Sequence, residues 1–210
     1  MEYSDMVDVK KKLLFPTPLS IFICGDELNR TQMITYIQQN SNKNKAPHQT
    51  IDDLYKLSTF RKLYDIIMKQ CEIHIKGLEY EYDKLDMVSM WGNYLTPGGY
   101  HPEHTHPNSF ITGVFYLLSS DGPDKKLSRT RIEFSDPRAQ AGVLVPRKTK
   151  ETELNSTIIA CPCTEGSGYI FPSWLQHTVK TTPIDRISIS WNIILRGEYG
   201  QPNTLQNAHI

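Results

Sequence analysis

The chain has 210 residues, too long for a minimal domain and short for two, so a single domain spanning 1–210 with a substantial core is expected. Its 23 basic and 23 acidic residues cancel, which removes the broad positive field that nonspecific nucleic-acid binding requires. A 39% hydrophobic share can fill a core, and 12 glycines with 13 prolines exclude a collagen-like or linker-like chain.

No stretch of the sequence is apolar enough for a membrane-spanning helix; the nearest candidate, Ile187 to Leu195, is interrupted by serines and an asparagine. Lys10 to Cys24 imitates a secretion signal. However, Pro16 and Pro18 break its apolar part and Glu2, Asp5 and Asp8 offset its basic part, so a cytoplasmic location is expected. Four cysteines (Cys24, Cys71, Cys161, Cys163) do not make a disulfide framework and read as reduced. Cys161-Pro162-Cys163 has no second thiol pair to complete a tetrahedral metal site and reads as strand.

Leu19 to Cys24 is a short β-rich run, and Gly25 and Asp26 open a segment to about Gln39 with apolar residues at near-helical spacing. A polar loop from Asn40 to Asn44 follows. Ser58 is a candidate N-cap for a longer helix carrying Leu63, Ile66, Ile67, Cys71, Ile73 and Ile75 towards a stop at Gly77. From Asp86 onward the pattern changes to short β-branched and aromatic runs between turns. These are Met87 to Leu95, Ser109 to Leu118, Thr130 to Phe134, Thr157 to Cys161, Gly168 to Phe171, Thr178 to Thr181 and Arg186 to Leu195. Seven strands without intervening helices point to an antiparallel double-sheet roll over 86–200, with residues 1–85 as helical support. Ser119 to Ser128 and Asp136 to Thr152 read as loops or a flap.

Three of the seven histidines fall within six residues: His101, His104 and His106. On a regular strand side chains alternate, so His104 and His106 share a face while His101, at an odd separation from His104, takes the other. His177, at the end of an apolar run, supplies a third imidazole from a neighbouring strand. Three such ligands leave open positions on an octahedral ion. Arg186, nine residues after His177, shares a strand face with Ser188. An inward arginine must be paired, either internally with an acid such as Asp136 or Glu133, or by a carboxylate ligand held bidentately. Glu103 lies on the wrong face to ligate, and His48, His74 and His209 are isolated and read as structural.

The order His-x-His, distal His, Arg-x-Ser resembles the 2-oxoglutarate and Fe(II)-dependent oxygenase superfamily, whose usual motif is His-x-Asp, His, Arg. Asn93 to Gly98 is similar to an Asn-x-Tyr-x-Pro-Gly element of the alkylated-base repair dioxygenases, with Leu95 in place of their Tyr. More closely, Trp91 to Asn192 resembles oxygenases met in marine bacteria and their phages. Shared elements are Trp-x-Asn, His-x-His-Pro-Asn-Ser, Gly-Val-x-Tyr-Leu, Phe-Pro-Ser-Trp-Leu-x-His and Arg-x-Ser-Ile-Ser.

The resemblance implies a mainly β fold with N-terminal helices, a double-stranded β-helix (jelly roll). It implies Fe(II) held by His104, His106 and His177, and 2-oxoglutarate and O2 as cosubstrates. Arg186 and Ser188 would clamp the outer carboxylate, with Tyr116 and Asn93 as further contacts. The reaction implied is oxidative decarboxylation to succinate coupled to C–H oxidation, most simply hydroxylation, of a small molecule or a peptidyl side chain. For a phage-borne copy the location would be the host cytoplasm. His106 stands where the superfamily has a carboxylate; a neutral ligand leaves the metal one unit more positive. Two rival classes remain at this stage: a cupin-like three-histidine metalloenzyme acting without 2-oxoglutarate, and a non-catalytic metal-binding or sensing roll.

Overall fold

In the computed structural model, residues 10, 12–25, 27–44, 47–119 and 130–210 are described. The elements are β1 (Ser20–Ile23), α1 (Arg30–Asn40), β2 (His48–Gln49), α2 (Arg61–Lys76), β3 (Lys84–Leu95), β4 (His101–His104), β5 (Ile111–Leu118), β6 (Arg131–Ser135), β7 (Ile158–Pro162), β8 (Ser167–Pro172), β9 (His177–Val179), β10 (Arg186–Arg196), β11 (Glu198–Tyr199) and β12 (Ala208–His209). Short 3-10 turns cover Leu54–Lys56, Ser58–Phe60 and Ala139–Gly142. A six-stranded antiparallel sheet has the order β1-β8-β5-β10-β3-β2, and a four-stranded sheet the order β4-β9-β6-β7. They face each other across an apolar layer that includes Val114, Tyr169 and Phe171 from the first and Ile132, Phe134 and Val179 from the second. This is the expected roll.

β10 shows why. Ile187, Ile189, Trp191 and Ile193 alternate with Ser188, Ser190 and Asn192, so one face is wholly apolar and the other polar. The apolar face, with Phe115, Ile170 and Met90, packs on the helices, where α2 presents Leu63, Ile67, Cys71 and Ile75 one turn apart. The polar face lines the interior of the roll.

The first third supplies more than helices, because β1 and β2 are the two edges of the larger sheet. The helix expected from Asp26 begins at Arg30, where the Asn29 side chain accepts from the Gln32 amide at 3.2 Å; Asp26 itself lies outside the described residues. Ser58 does not cap α2. It opens a 3-10 turn that buries Phe60 completely, and α2 starts at Arg61. The stop at Gly77 holds. Within the flap Asp136 to Thr152 there is one 3-10 turn, while the insert expected at Ser119 to Ser128 lies almost wholly outside the described residues. All four cysteines are free, and among the described residues no helix is long and apolar enough to cross a membrane.

Candidate active site

Strand register assembles the polar face in three rows across β3, β10 and β5. Ser188 sits between Asn93 and Tyr116, Ser190 between Trp91 and Val114, and Asn192 between Ser89 and Thr112. The smaller sheet closes over them with β4 and β9, whose pairing is irregular: His101 opposes Val179 and His104 opposes His177. Three steps on β4 therefore match two on β9, a bulge that inserts one residue and reverses the pleat parity. His101 and His104 consequently share the inward face, their ring centroids 6.0 Å apart. The expectation that His101 faces away from His104 is thus corrected. Likewise His104 is the last residue of β4, so His106 reaches the same point from the following turn, where its amide donates to Ser173 at 2.9 Å.

Candidate ligand nitrogens of His104, His106 and His177 lie within 4.8 Å of one another. Each ring is held by its other nitrogen: His104 Nδ1 to the Pro102 carbonyl at 2.7 Å, His177 Nδ1 to the Leu175 carbonyl at 2.9 Å, and His106 Nδ1 to Asn192 Oδ1 at 2.8 Å. Thr112 Oγ1 also approaches His106 Nδ1, at 3.2 Å. Its own hydroxyl donates to the Trp191 carbonyl at 2.7 Å, so towards His106 it accepts. Carbonyl oxygens only accept, which assigns the proton to Nδ1 in each ring and turns three Nε2 lone pairs towards one point. The Nε2 atoms of His106 and His177 stand 3.3 Å apart. Two unprotonated nitrogens so close repel unless a cation lies beside them.

Burial keeps the rings of His106 and His177 neutral. It pushes the pKa of His177 down to about 3, with the charge of His104 adding to the effect, and that of His106 down to about 4. Neutral imidazoles with free Nε2 lone pairs suit a divalent transition metal. Glu103 is no competitor, its carboxylate accepting from the Ser135 hydroxyl on the outer side.

At the far end of the interior Arg186 is 2% exposed, and among the described residues its Nε and Nη1 have no hydrogen-bond partner. The acids considered for it are engaged elsewhere, Asp136 by Arg138 and Glu133 by Lys180. The guanidinium lies 5.0 Å from the centre of the Tyr116 ring, beside the Cys163 thiol. Tyr116 Oη is also buried without a partner, and burial raises its pKa well above the usual phenol range, so it stays an O–H donor. Buried unpaired donors on a cation are costly and uncommon, and together these three suit a carboxylate.

Both ends open on one cavity with about 420 Å³ of empty space, part of it open to solvent, lined by the three histidines, His101, Arg186, Asn93 and Ser188 among others. Tyr116 does not line it but lies beneath Arg186. Asn93 is already engaged: its carbonyl accepts from Gln49 at 2.9 Å and Trp91 at 3.1 Å, and its amide donates to Ser190 at 3.0 Å. Trp91 also stacks on His106, with centroids 5.7 Å apart. Sequence reasoning missed Gln49, Thr112 and the role of Asn192. Alternation along β10 could have exposed the last of these, whereas Gln49 comes from a two-residue edge strand with no periodic signal.

The sequence model of a family described as "Putative 2OG-Fe(II) oxygenase" matches residues 89–192, just under half of the chain and the segment that builds this cavity. Among curated proteins none matches it in sequence. Solved structures share the fold at low identity. A Pseudomonas putida prolyl-4-hydroxylase aligns at TM-score 0.57 and 14% identity over 86% of this chain and 94% of its own. The α-ketoglutarate-dependent epimerase SnoN from nogalamycin biosynthesis aligns at 0.59 and 13% over 90% and 83%. HygX from Streptomyces hygroscopicus, solved with nickel and 2-oxoglutarate, aligns at 0.55 and 11% over 85% and 83%. Residues 89–192 are thus similar to the 2OG-Fe(II) oxygenases, and the fold as a whole is shared with solved structures of that kind.

Proposed function

We propose that this protein is a 2OG-Fe(II) oxygenase, specifically a hydroxylase, in which His104, His106 and His177 hold Fe(II) and Arg186, with Tyr116 and Ser188, holds the outer carboxylate of 2-oxoglutarate. The observation that carries the reading is that, among the described residues, Nε and Nη1 of Arg186 are buried without a hydrogen-bond partner at one end of a cavity whose other end is three convergent imidazoles. When bound, Fe(II) with 2-oxoglutarate and O2 supplies the oxidising chemistry, releasing succinate and CO2 as a substrate C–H bond is hydroxylated.

The chain's own residues bind and orient. Pro102, Leu175 and Asn192 fix the imidazole tautomers, which pre-organises the ligand set. Arg186 offers a forked donor pair, Ser188 a hydroxyl two residues along the same strand and Tyr116 one from the adjacent β5. Asn93 acts through what it holds, aligning Trp91 and Gln49 along the wall, with one amide hydrogen left for the cosubstrate. Three neutral ligands leave the metal's charge to be balanced by the dianionic cosubstrate. In this reading the chain is one domain in which the described part of 1–85 braces the roll of 86–200, β1 and β2 forming the edges of the larger sheet. The substrate class we propose is a small molecule or a peptidyl side chain, met in the cytoplasm.

Anaerobic addition of Fe(II) and 2-oxoglutarate is expected to produce a visible metal-to-ligand charge-transfer band, and admission of air to release succinate. Absence of both, in protein that retains iron, would favour the cupin-like or sensing alternative. Arg186→Gln is expected to abolish the band at moderate 2-oxoglutarate while leaving iron bound.

A further inference from the structure

His101 is not one of the three clustered ligands, yet the bulge in β4 turns it into the same cavity. Its backbone is pinned there, the carbonyl accepting from Thr178 Oγ1 at 2.8 Å. The ring is half-buried, and neither nitrogen makes a hydrogen bond within the described residues. Arg186 and Ser188 line the same cavity. An imidazole held at fixed depth, free at both nitrogens among the described residues and facing the same cavity as a guanidinium with unbonded donors, is a preformed half of an anion site.

We infer that His101 is a further cosubstrate-binding residue, donating its ring N–H to the outer carboxylate that Arg186 clamps. This rests on the reading of Arg186 given above. A neutral imidazole carries one ring N–H, so it can donate to the carboxylate without adding a second positive charge. A carboxylate held by a guanidinium and a neutral imidazole has two kinds of donor at different angles. That geometry discriminates a five-carbon diacid from shorter 2-oxo acids.

The test is calorimetric titration of 2-oxoglutarate, and separately of pyruvate, into Ni(II)-loaded full-length protein, with nickel content measured after dialysis. His101→Phe is expected to raise the dissociation constant for 2-oxoglutarate by about tenfold to a hundredfold, the loss of one charge-assisted hydrogen bond. Nickel content and pyruvate affinity are expected to stay unchanged, since pyruvate has no outer carboxylate. His101→Gln keeps an N–H donor and is expected to recover most of the affinity. If His101→Phe does not fold, His101→Ala replaces it in the same titrations. Unchanged 2-oxoglutarate affinity, an equal loss for pyruvate, or loss of nickel would each overturn the inference. Arg186→Gln run in parallel separates the two claims: if it weakens 2-oxoglutarate while His101→Phe does not, only the role of His101 falls. If Arg186→Gln has no effect, the clamp itself falls.

Discussion

Replacing Arg186 with methionine separates a structural arginine from one that waits for a ligand. Two of its donors are buried and unbonded, and each such group costs roughly 1–3 kcal/mol in desolvation. The contact with Tyr116, 5.0 Å from guanidinium carbon to ring centre, returns about 2 kcal/mol when desolvated. Methionine has a similar length, fills the space and needs no partner. The metal-loaded, cosubstrate-free variant is therefore expected to match wild type or exceed it by about 1–2 kcal/mol, a rise of roughly 2–8 °C in Tm. With 2-oxoglutarate the order inverts. Losing one side of a buried charge pair removes about 3–5 kcal/mol of binding, a factor of roughly 10² to 5 × 10³. At a concentration near 100 Kd the wild type is stabilised by about 2.7 kcal/mol, and the variant by almost nothing. Thermal denaturation of Ni(II)-substituted protein with and without 2-oxoglutarate reads both effects. A variant that is less stable than wild type by more than about 2 kcal/mol without cosubstrate, or that keeps the cosubstrate-induced shift, would refute the argument.

Asn192→Leu removes the acceptor that holds His106 Nδ1 and is expected to weaken metal affinity by about 10- to 100-fold with the fold intact, measured by competition with a chromogenic chelator; unchanged affinity would mean that Thr112 alone fixes the ring. Gly113→Ala would bring its Cβ to 2.2 Å from the Trp191 ring and 2.4 Å from the Tyr169 carbonyl, so a loss of about 2 kcal/mol or more in urea denaturation is expected. His74, buried on α2 with Nδ1 bonded to Ser20 Oγ at 2.7 Å and Nε2 unbonded, has its pKa lowered by burial. Below about pH 6.5 the unfolded chain takes up this proton more readily than the folded one, so the stability His74 confers is present above that pH and declines as pH falls. His74→Phe is expected to lose less stability than wild type between pH 7.5 and 5.5. Comparing the two proteins cancels the site histidines, and parallel pH profiles would show that His74 does not titrate in this range.

Alternation is what made most of the roll legible. Ile187 to Ile193 announces a strand with one apolar and one polar face, and that pattern survives in any fold that buries it, because side-chain direction on a strand has period two. His104, His106, His177, Arg186 and Ser188 were legible for the same reason: few other uses exist for such residues on an inward face. Helix starts were less so, since Ser58 offers a capping hydroxyl but the complete burial of Phe60 decides where α2 begins. His101 illustrates the limit. Parity along a regular strand turns it away from His104, yet one extra residue against β9 turns it back.

By itself, then, the chain's order of residues determined the class of fold and the chemical identity of the site, because both rest on local periodicity and on the few residue types that bind metals and carboxylates. Only the tertiary structure decided which imidazole nitrogens carry protons, that Arg186 has no acid bonded to it among the described residues, and that His101 shares the cavity. Those facts depend on registers and bulges between strands distant in sequence, which are set by packing across the whole roll rather than by any stretch of it.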